Sequence, residues 1–200
     1  MQTNPPVPIE SHALGTLSYI RASMESAGSF VVPGTAGIVM GIIGVLASGV
    51  ASVPALLSHW LEIWLVAAAV ALALGGALIA RQATRGSAPR YLGPVRKFVL
   101  CLAPSLLAGT VLTVVLLRAG MDRLIPGVWL LLYGCAVLSA ATATSATITR
   151  LVSAMGALFV VLGLIAFALP PGEQSLMLGL GFGGLHLIFG SLIGRFRHGS

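Results

Sequence analysis

Only 8% of the 200 residues are charged and 57% are hydrophobic, with a mean hydropathy of +1.01; a soluble domain carries about a quarter charged residues. Disorder is excluded by the same apolar content, and two cysteines exclude a disulfide scaffold. The expected class is an all-α, polytopic transmembrane helical bundle; no nucleic-acid-binding module accompanies the formal charge of +6, so no nucleic-acid partner is expected.

In chain order, residues 1–10 place Pro5, Pro6 and Pro8 ahead of any apolar run and read as a disordered, Pro-rich tail. Residues 1–20 contain no Lys or Arg, so a cleaved signal peptide is not expected. From Ser11 the spacing predicts a helix with Leu14, Leu17, Ile20 and Met24 on one stripe and an i,i+4 pair of Arg21 and Glu25. Residues 11–30 are thus either an amphipathic helix at the interface or an extension of the first span.

Crossing ~30 Å of hydrocarbon takes about 20 mostly apolar residues in a helix. Six stretches qualify within residues 31–194, namely 31–53, 57–80, 98–117, 124–144, 151–169 and 175–194. Pro54, the basic stretch from Arg81 to Lys97, Gly120-Met121-Asp122-Arg123, Arg150 and Pro170-Pro171-Gly172 separate them. Residues 195–200 are read as a cytoplasmic tail.

Lys and Arg set the orientation. With both termini cytoplasmic, Arg21, Arg81, Arg85, Arg90, Arg96, Lys97, Arg150, Arg195 and Arg197 lie inside and only Arg118 and Arg123 outside, nine against two of the 11 basic residues. The stretch from Arg81 to Lys97 is then a topology signal that also attracts anionic lipids. Trp60, Trp64 and Trp129 fall near the outer ends and are expected at the headgroup level.

Glycine is concentrated inside the spans. Gly34, Gly37, Gly41 and Gly44 recur at three- and four-residue spacing in the first, and Gly179, Gly183, Gly190 and Gly194 do so in the sixth. Lipid gives helices no hydrophobic reason to associate, so such residues predict faces where backbones approach closely. Val32-Pro33-Gly34 followed by Gly41 matches Ile125-Pro126-Gly127 followed by Gly134 at an offset of 93 residues. That correspondence suggests a weak 3+3 inverted repeat of the kind found in transporters.

Chemistry is scarce. The acids are Glu10, Glu25, Glu62, Asp122 and Glu173, none of them at mid-membrane. His59 and Glu62 are i,i+3 neighbours and read as a polar cap at the outer interface, because two ligands alone make no metal site. Asp122 is expected to pair with Arg118 or Arg123. Cys101 and Cys135 lack CxxC spacing and are read as small packing residues. Pro104 frees a carbonyl in the third span, with Ser105 beside it to compensate. Ser139, Thr142, Thr144, Ser145, Thr147 and Thr149 are expected to hydrogen-bond between helices at the cytoplasmic half, with a polar path as the alternative.

One ionisable side chain lies deep in the membrane. His186 sits ~3 Å along the axis from the centre of the sixth span at 1.5 Å rise per residue. Gly179, Gly183, Gly190 and Gly194, at i−7, i−3, i+4 and i+8, place it on their face, pointing into the bundle. Tyr133 is the other titratable group at that depth, and the two form the candidate intramembrane polar site. His186 is either glue between helices or a proton-responsive or ligand-contacting group.

The stretch Ile20-Arg21-Ala22-Ser23-Met24-Glu25, followed by Phe30, Pro33-Gly34 and Met40-Gly41, resembles the opening of small uncharacterised bacterial six-span inner-membrane proteins. Leu131-Leu132-Tyr133-Gly134 resembles their second half more loosely. The resemblance covers the N-terminal ~45 residues best; it implies a bacterial inner-membrane location and brings no activity with it.

No hydrolase motif or paired carboxylate is present, so a non-enzymatic role is expected, without cofactor or metal. The leading expectation is a scaffold or sensor-like membrane component acting through helix packing, with a homo-oligomer or a protein partner. A small-solute transporter with a path between the glycine-rich spans is the alternative. A histidine-dependent redox or haem protein is the third reading, and would need a second axial ligand.

Overall fold

The computed structural model describes residues 15–17, 33–85, 92–170 and 172–198. The expected tail at 1–10 and nearly all of the expected helix at 11–30, Arg21 and Glu25 included, lie outside the described residues.

Among the described residues, seven helices build six segments long and apolar enough to cross a membrane. They are α1 (Gly34–Ala51), α2 (Trp60–Arg85), α3 (Leu92–Arg118), α4 (Ile125–Ala141), α5 (Ala146–Ala168), α6 (Gln174–Leu178) and α7 (His186–His198). Between α6 and α7 the backbone continues as a π-helical segment, Gly179–Leu185, so the three pieces form one last span. Short 3₁₀ turns at Pro54–His59 and Asp122–Leu124 lead into α2 and α4. Proline opens both chain entries where a missing N–H costs nothing: Pro33 is the N-cap of α1, and Pro126 lies in the first turn of α4.

The boundaries depart from expectation in one informative place. The stretch from Arg81 to Lys97 is helical at both ends, since α2 runs on to Arg85 and α3 already begins at Leu92. Ala, Arg and Gln are good helix formers, so α2 continues beyond its apolar stretch. Arg81, Arg96 and Lys97 therefore stand on helix ends instead of in a loop. Pro104 sits inside α3, which runs through it without a break.

Two antiparallel glycine seams hold the bundle. Along the first, α1 meets the last span. A methyl group on Gly34 would lie 2.5 Å from the Gly190 carbonyl oxygen and 2.6 Å from the Gly194 nitrogen. One on Gly44, at the other end, would lie 2.6 Å from the Gly183 nitrogen. Backbones that close leave no room for any side chain, which is why glycine recurs at this spacing. The start of α1 and the end of α7 therefore lie side by side, and Ser48 donates to the Ser175 carbonyl at 2.7 Å near the opposite end.

The second seam joins α4 to α5. A Cβ on Gly134 would meet the Gly156 carbonyl oxygen at 2.8 Å, and one on Gly163 would meet the Gly127 carbonyl oxygen at 3.0 Å. Gly127 and Gly134, like Gly156 and Gly163, are seven apart, a spacing that was legible. The two copies of the 93-residue correspondence thus both supply seam glycines, but against non-equivalent partners: α1 uses the last span and α4 uses α5.

Between these pairs the core closes over Phe159, Ile125, Leu130 and Leu178, all essentially inaccessible. α3 packs on α4, and α2 packs on α1, but α2 and α3 touch each other at few points. The space left there positions the site.

Candidate functional site

α2 and α3 stand apart around a cavity of about 410 Å³. Its walls come from Gly44 and Met40 on α1, Trp64, Ala68, Ala71 and Leu72 on α2, and Ser105, Gly109, Thr110 and Thr113 on α3. Trp129 and Tyr133 on α4 and Phe182 and His186 on the last span complete it. Among the described residues, no Asp, Glu, Lys or Arg lines this space.

One end is built from aromatic rings. Tyr133 stands edge-on to Phe159 and Phe182, with ring centres 4.8 and 5.0 Å apart. Phe182 stacks on His186 at 6.2 Å and 17° and meets Trp64 at 6.3 Å on its other side. Offset and edge-to-face contacts like these favour a fixed cluster over a mobile one.

The polar pair sits inside that cluster. Nε2 of His186 lies 2.8 Å from the Tyr133 hydroxyl, joining α4 to the last span. His186 is 4% exposed, and the geometry of the π segment decides where it points. Gly183, Leu187, Gly190 and Gly194 line the seam with α1, and the His186 carbonyl oxygen also borders it, 3.4 Å from a Cβ on Gly37. His186 is one position off that line, about 100° round the helix from Leu187, and faces Tyr133 and Phe159. It points into the bundle, as expected. Its backbone borders the seam with α1 while its ring turns to Tyr133.

Glycine allows the wide turn. Gly179, Gly181, Gly183 and Gly184 leave the backbone unhindered through the π segment, a geometry that recurs where helices carry function. Gly181 packs against the Leu130 and Phe159 side chains, the same side to which His186 turns.

Among the described residues, two buried side-chain nitrogens have no hydrogen-bond partner, Nε1 of Trp64 and Nδ1 of His186. Nδ1 is turned toward the carbonyls of Gly181 and Phe182 on its own helix but makes no well-formed hydrogen bond to either. Trp64 is 3% exposed and packs against Phe182. Trp129 is likewise drawn inward, its indole donating to the Thr113 hydroxyl at 2.7 Å, while that hydroxyl donates to the Gly109 carbonyl at 2.7 Å. Ring partners and a hydroxyl inside the bundle hold these two indoles.

The other expected features stay apart from the cavity. His59 and Glu62 are exposed and 3.5 Å apart at the entry to α2, an arrangement worth little in stability. No ion pair joins Asp122 to Arg118 or Arg123 among the described residues. Cys135 is exposed, so its packing role is corrected; Cys101 is half-buried. The hydroxyls at the α4–α5 turn bond mostly to nearby carbonyls, Thr144 to Ala141 at 2.7 Å and Thr149 to Ser145 at 2.9 Å. Thr144 and Thr149 also meet at 3.2 Å, tying the two helix ends together.

No family model, curated protein or solved structure matches this chain.

Proposed function

We propose that the protein is a non-enzymatic, sensor-like membrane component that binds a small uncharged molecule inside the bilayer. The observation that carries this reading is a 410 Å³ cavity walled by the Tyr133–His186 hydrogen bond. Small-molecule sites are mostly apolar hollows of ~300–1,000 Å³ with a few fixed polar groups. Polar groups at membrane depth are costly and tend to mark function.

Several further assignments belong to the same proposal. Both termini face the cytoplasm of a bacterium, across its inner membrane, because Arg81, Arg96, Lys97, Arg150 and Arg195 share one end of the bundle. Those basic helix ends attract anionic lipids. The apolar outer faces of α2 and α3 meet lipid or a second copy of the chain. The 93-residue correspondence supports a weak inverted repeat, and the N-terminal residues support kinship with small bacterial inner-membrane proteins.

The rival readings have less room. A solute path between the glycine-rich spans meets backbones in contact, with Gly44 against Gly183 and Gly34 against Gly190. For haem, Nε2 of His186 is engaged by Tyr133 and Nδ1 is buried against its own helix.

Native mass spectrometry of the protein purified in mild detergent tests the reading. An uncharged apolar molecule is expected to accompany the wild type and to be depleted in Ala71→Phe, which fills the cavity. If nothing accompanies the wild type and no apolar compound raises its thermal midpoint, the binding role is wrong.

A further inference from the structure

We infer that the cavity takes a flat, carbonyl-bearing head group of the quinone type, admitted from the bilayer between α2 and α3. The inference rests on the binding role proposed above and adds to it the chemistry of the ligand and its route.

Charge is settled by the walls. With no carboxylate, ammonium or guanidinium lining the space, a charged ligand would leave its charge uncompensated in a medium where that is prohibitive. The shape of the head follows from the rings. Trp64, Trp129, Tyr133 and Phe182 present faces and edges to the space, which suit a planar conjugated group better than a branched aliphatic one. The remaining wall is Ala68, Ala71, Leu72 and Gly109, small or aliphatic residues that suit a hydrocarbon tail.

The hydrogen-bonding requirement comes from counting protons. Tyr133 and neutral His186 carry two exchangeable protons and spend one on their mutual bond. In one tautomer the phenol donates to Nε2, and the Tyr133 oxygen keeps a lone pair free to accept. In the other, Nε2–H donates to the phenol oxygen, and the phenolic proton is free to bond a carbonyl. Tyr133 lines the cavity and is only half-buried, so it is the member of the pair that meets a ligand. The same oxygen can therefore donate to a carbonyl or accept from a hydroxyl. A quinone-type head offers the first in its oxidised form and the second in its reduced form.

The route follows from the helix arrangement. α2 and α3 make few contacts with each other, whereas α1 packs closely on α2 and on the last span, and α3 packs closely on α4. Leu65 and Leu72 on α2, with Leu106 and Val114 on α3, are exposed where the two helices part. A gap with such a rim opens to lipid tails, so the ligand is one that dissolves in them.

Tryptophan fluorescence decides the matter, because Trp64 and Trp129 both line the cavity and quinones quench indoles on contact. The probe is a short-chain benzoquinone added to detergent-solubilised full-length protein, with Ala71→Phe giving the quenching due to micelle partition alone. Saturable quenching is expected in the wild type and not in Ala71→Phe. A same-sized 1,4-dimethoxybenzene, which lacks the carbonyls, is expected to compete at least about tenfold more weakly, the loss of roughly one good hydrogen bond. Tyr133→Phe is expected to weaken quinone binding by a similar factor. Equal competition by the dimethoxybenzene would overturn carbonyl recognition while leaving an apolar binding cavity intact. No saturable quenching, with no competition by any apolar compound, would overturn both this inference and the binding role. The comparison of the two probes uses only wild-type protein, so it holds even if a variant misfolds.

Discussion

The phenolic oxygen of Tyr133 lies 2.8 Å from Nε2 of His186, a bond between two spans whose residues are 53 positions apart. It crosses the part of the bundle where α4 and the last span are not joined by either glycine seam. Its removal should therefore loosen that contact specifically. Tyr133→Phe and His186→Phe are each expected to lower the thermal midpoint in detergent. The double mutant should lose less than the sum, with a coupling of about 0.6–1.7 kcal/mol, the range for hydrogen bonds between membrane helices. Strict additivity would mean that the two groups do not interact in the membrane.

The seams predict a sharp division among glycines. Gly41→Leu and Gly190→Leu place a branched side chain where the Leu187 nitrogen and the Ile38 nitrogen stand 2.7 and 2.8 Å from a bare Cβ. Gly134→Leu does the same against Gly156. Because the obstacle is backbone, the helices must separate, at or above the ~1–3 kcal/mol usual for overpacking. Gly49 and Gly76 have nothing within 4 Å of a Cβ, so Leu there should leave the midpoint nearly unchanged. Thermal unfolding of the five variants checks this; equal losses at Gly41 and Gly76 would deny the seam.

Orientation is tested separately. With Cys101 and Cys135 replaced by serine, a cysteine at Arg90 is expected to react with a membrane-impermeant maleimide only from the cytoplasmic side. A cysteine at Asp122, exposed in the turn between α3 and α4, should react only from outside. Labelling of both from one side would remove the assigned topology.

Much of this arrangement could be read before any coordinates. Hydropathy alone locates six spans to within a few residues, because a bilayer demands length and apolarity that little else in a chain provides. The α1–last span seam was legible from glycine spacing for the same reason. The α4–α5 seam was missed although Gly127, Gly134, Gly156 and Gly163 carry an equally regular spacing; with only two glycines per helix, the pattern is thin. Tyr133 and His186 could be paired by depth, but which face each occupies could not. A π segment adds a residue to the turn, so counting at 3.6 residues per turn does not carry a side chain's direction across it. The cavity had no sequence signal at all, since it arises from the separation of α2 and α3, two helices whose own compositions are uniformly apolar.

The π segment itself yields a prediction about deletion. In an α-helix, removing one residue rotates everything beyond it by about 100°, which in a packed span moves one half off its partner. Deleting Leu162 from the regular helix α5 should turn Gly163 away from Gly127 while Gly156 stays on Gly134, breaking the second seam. In Gly179–Leu185 the backbone bonds reach five residues back instead of four, so the segment holds one residue more than an α-turn needs. Deleting Gly184, whose missing Cβ would meet nothing within 4 Å, lets those bonds revert to α spacing while Ser175 and Gly190 keep their contacts with Ser48 and Gly34. The Gly184 deletion is therefore expected to yield folded protein with a modest fall in thermal midpoint. The Leu162 deletion should yield aggregated or degraded chain on size-exclusion chromatography. Equal damage from both would show that the wide turn is itself required to hold the last span against α1 and α4.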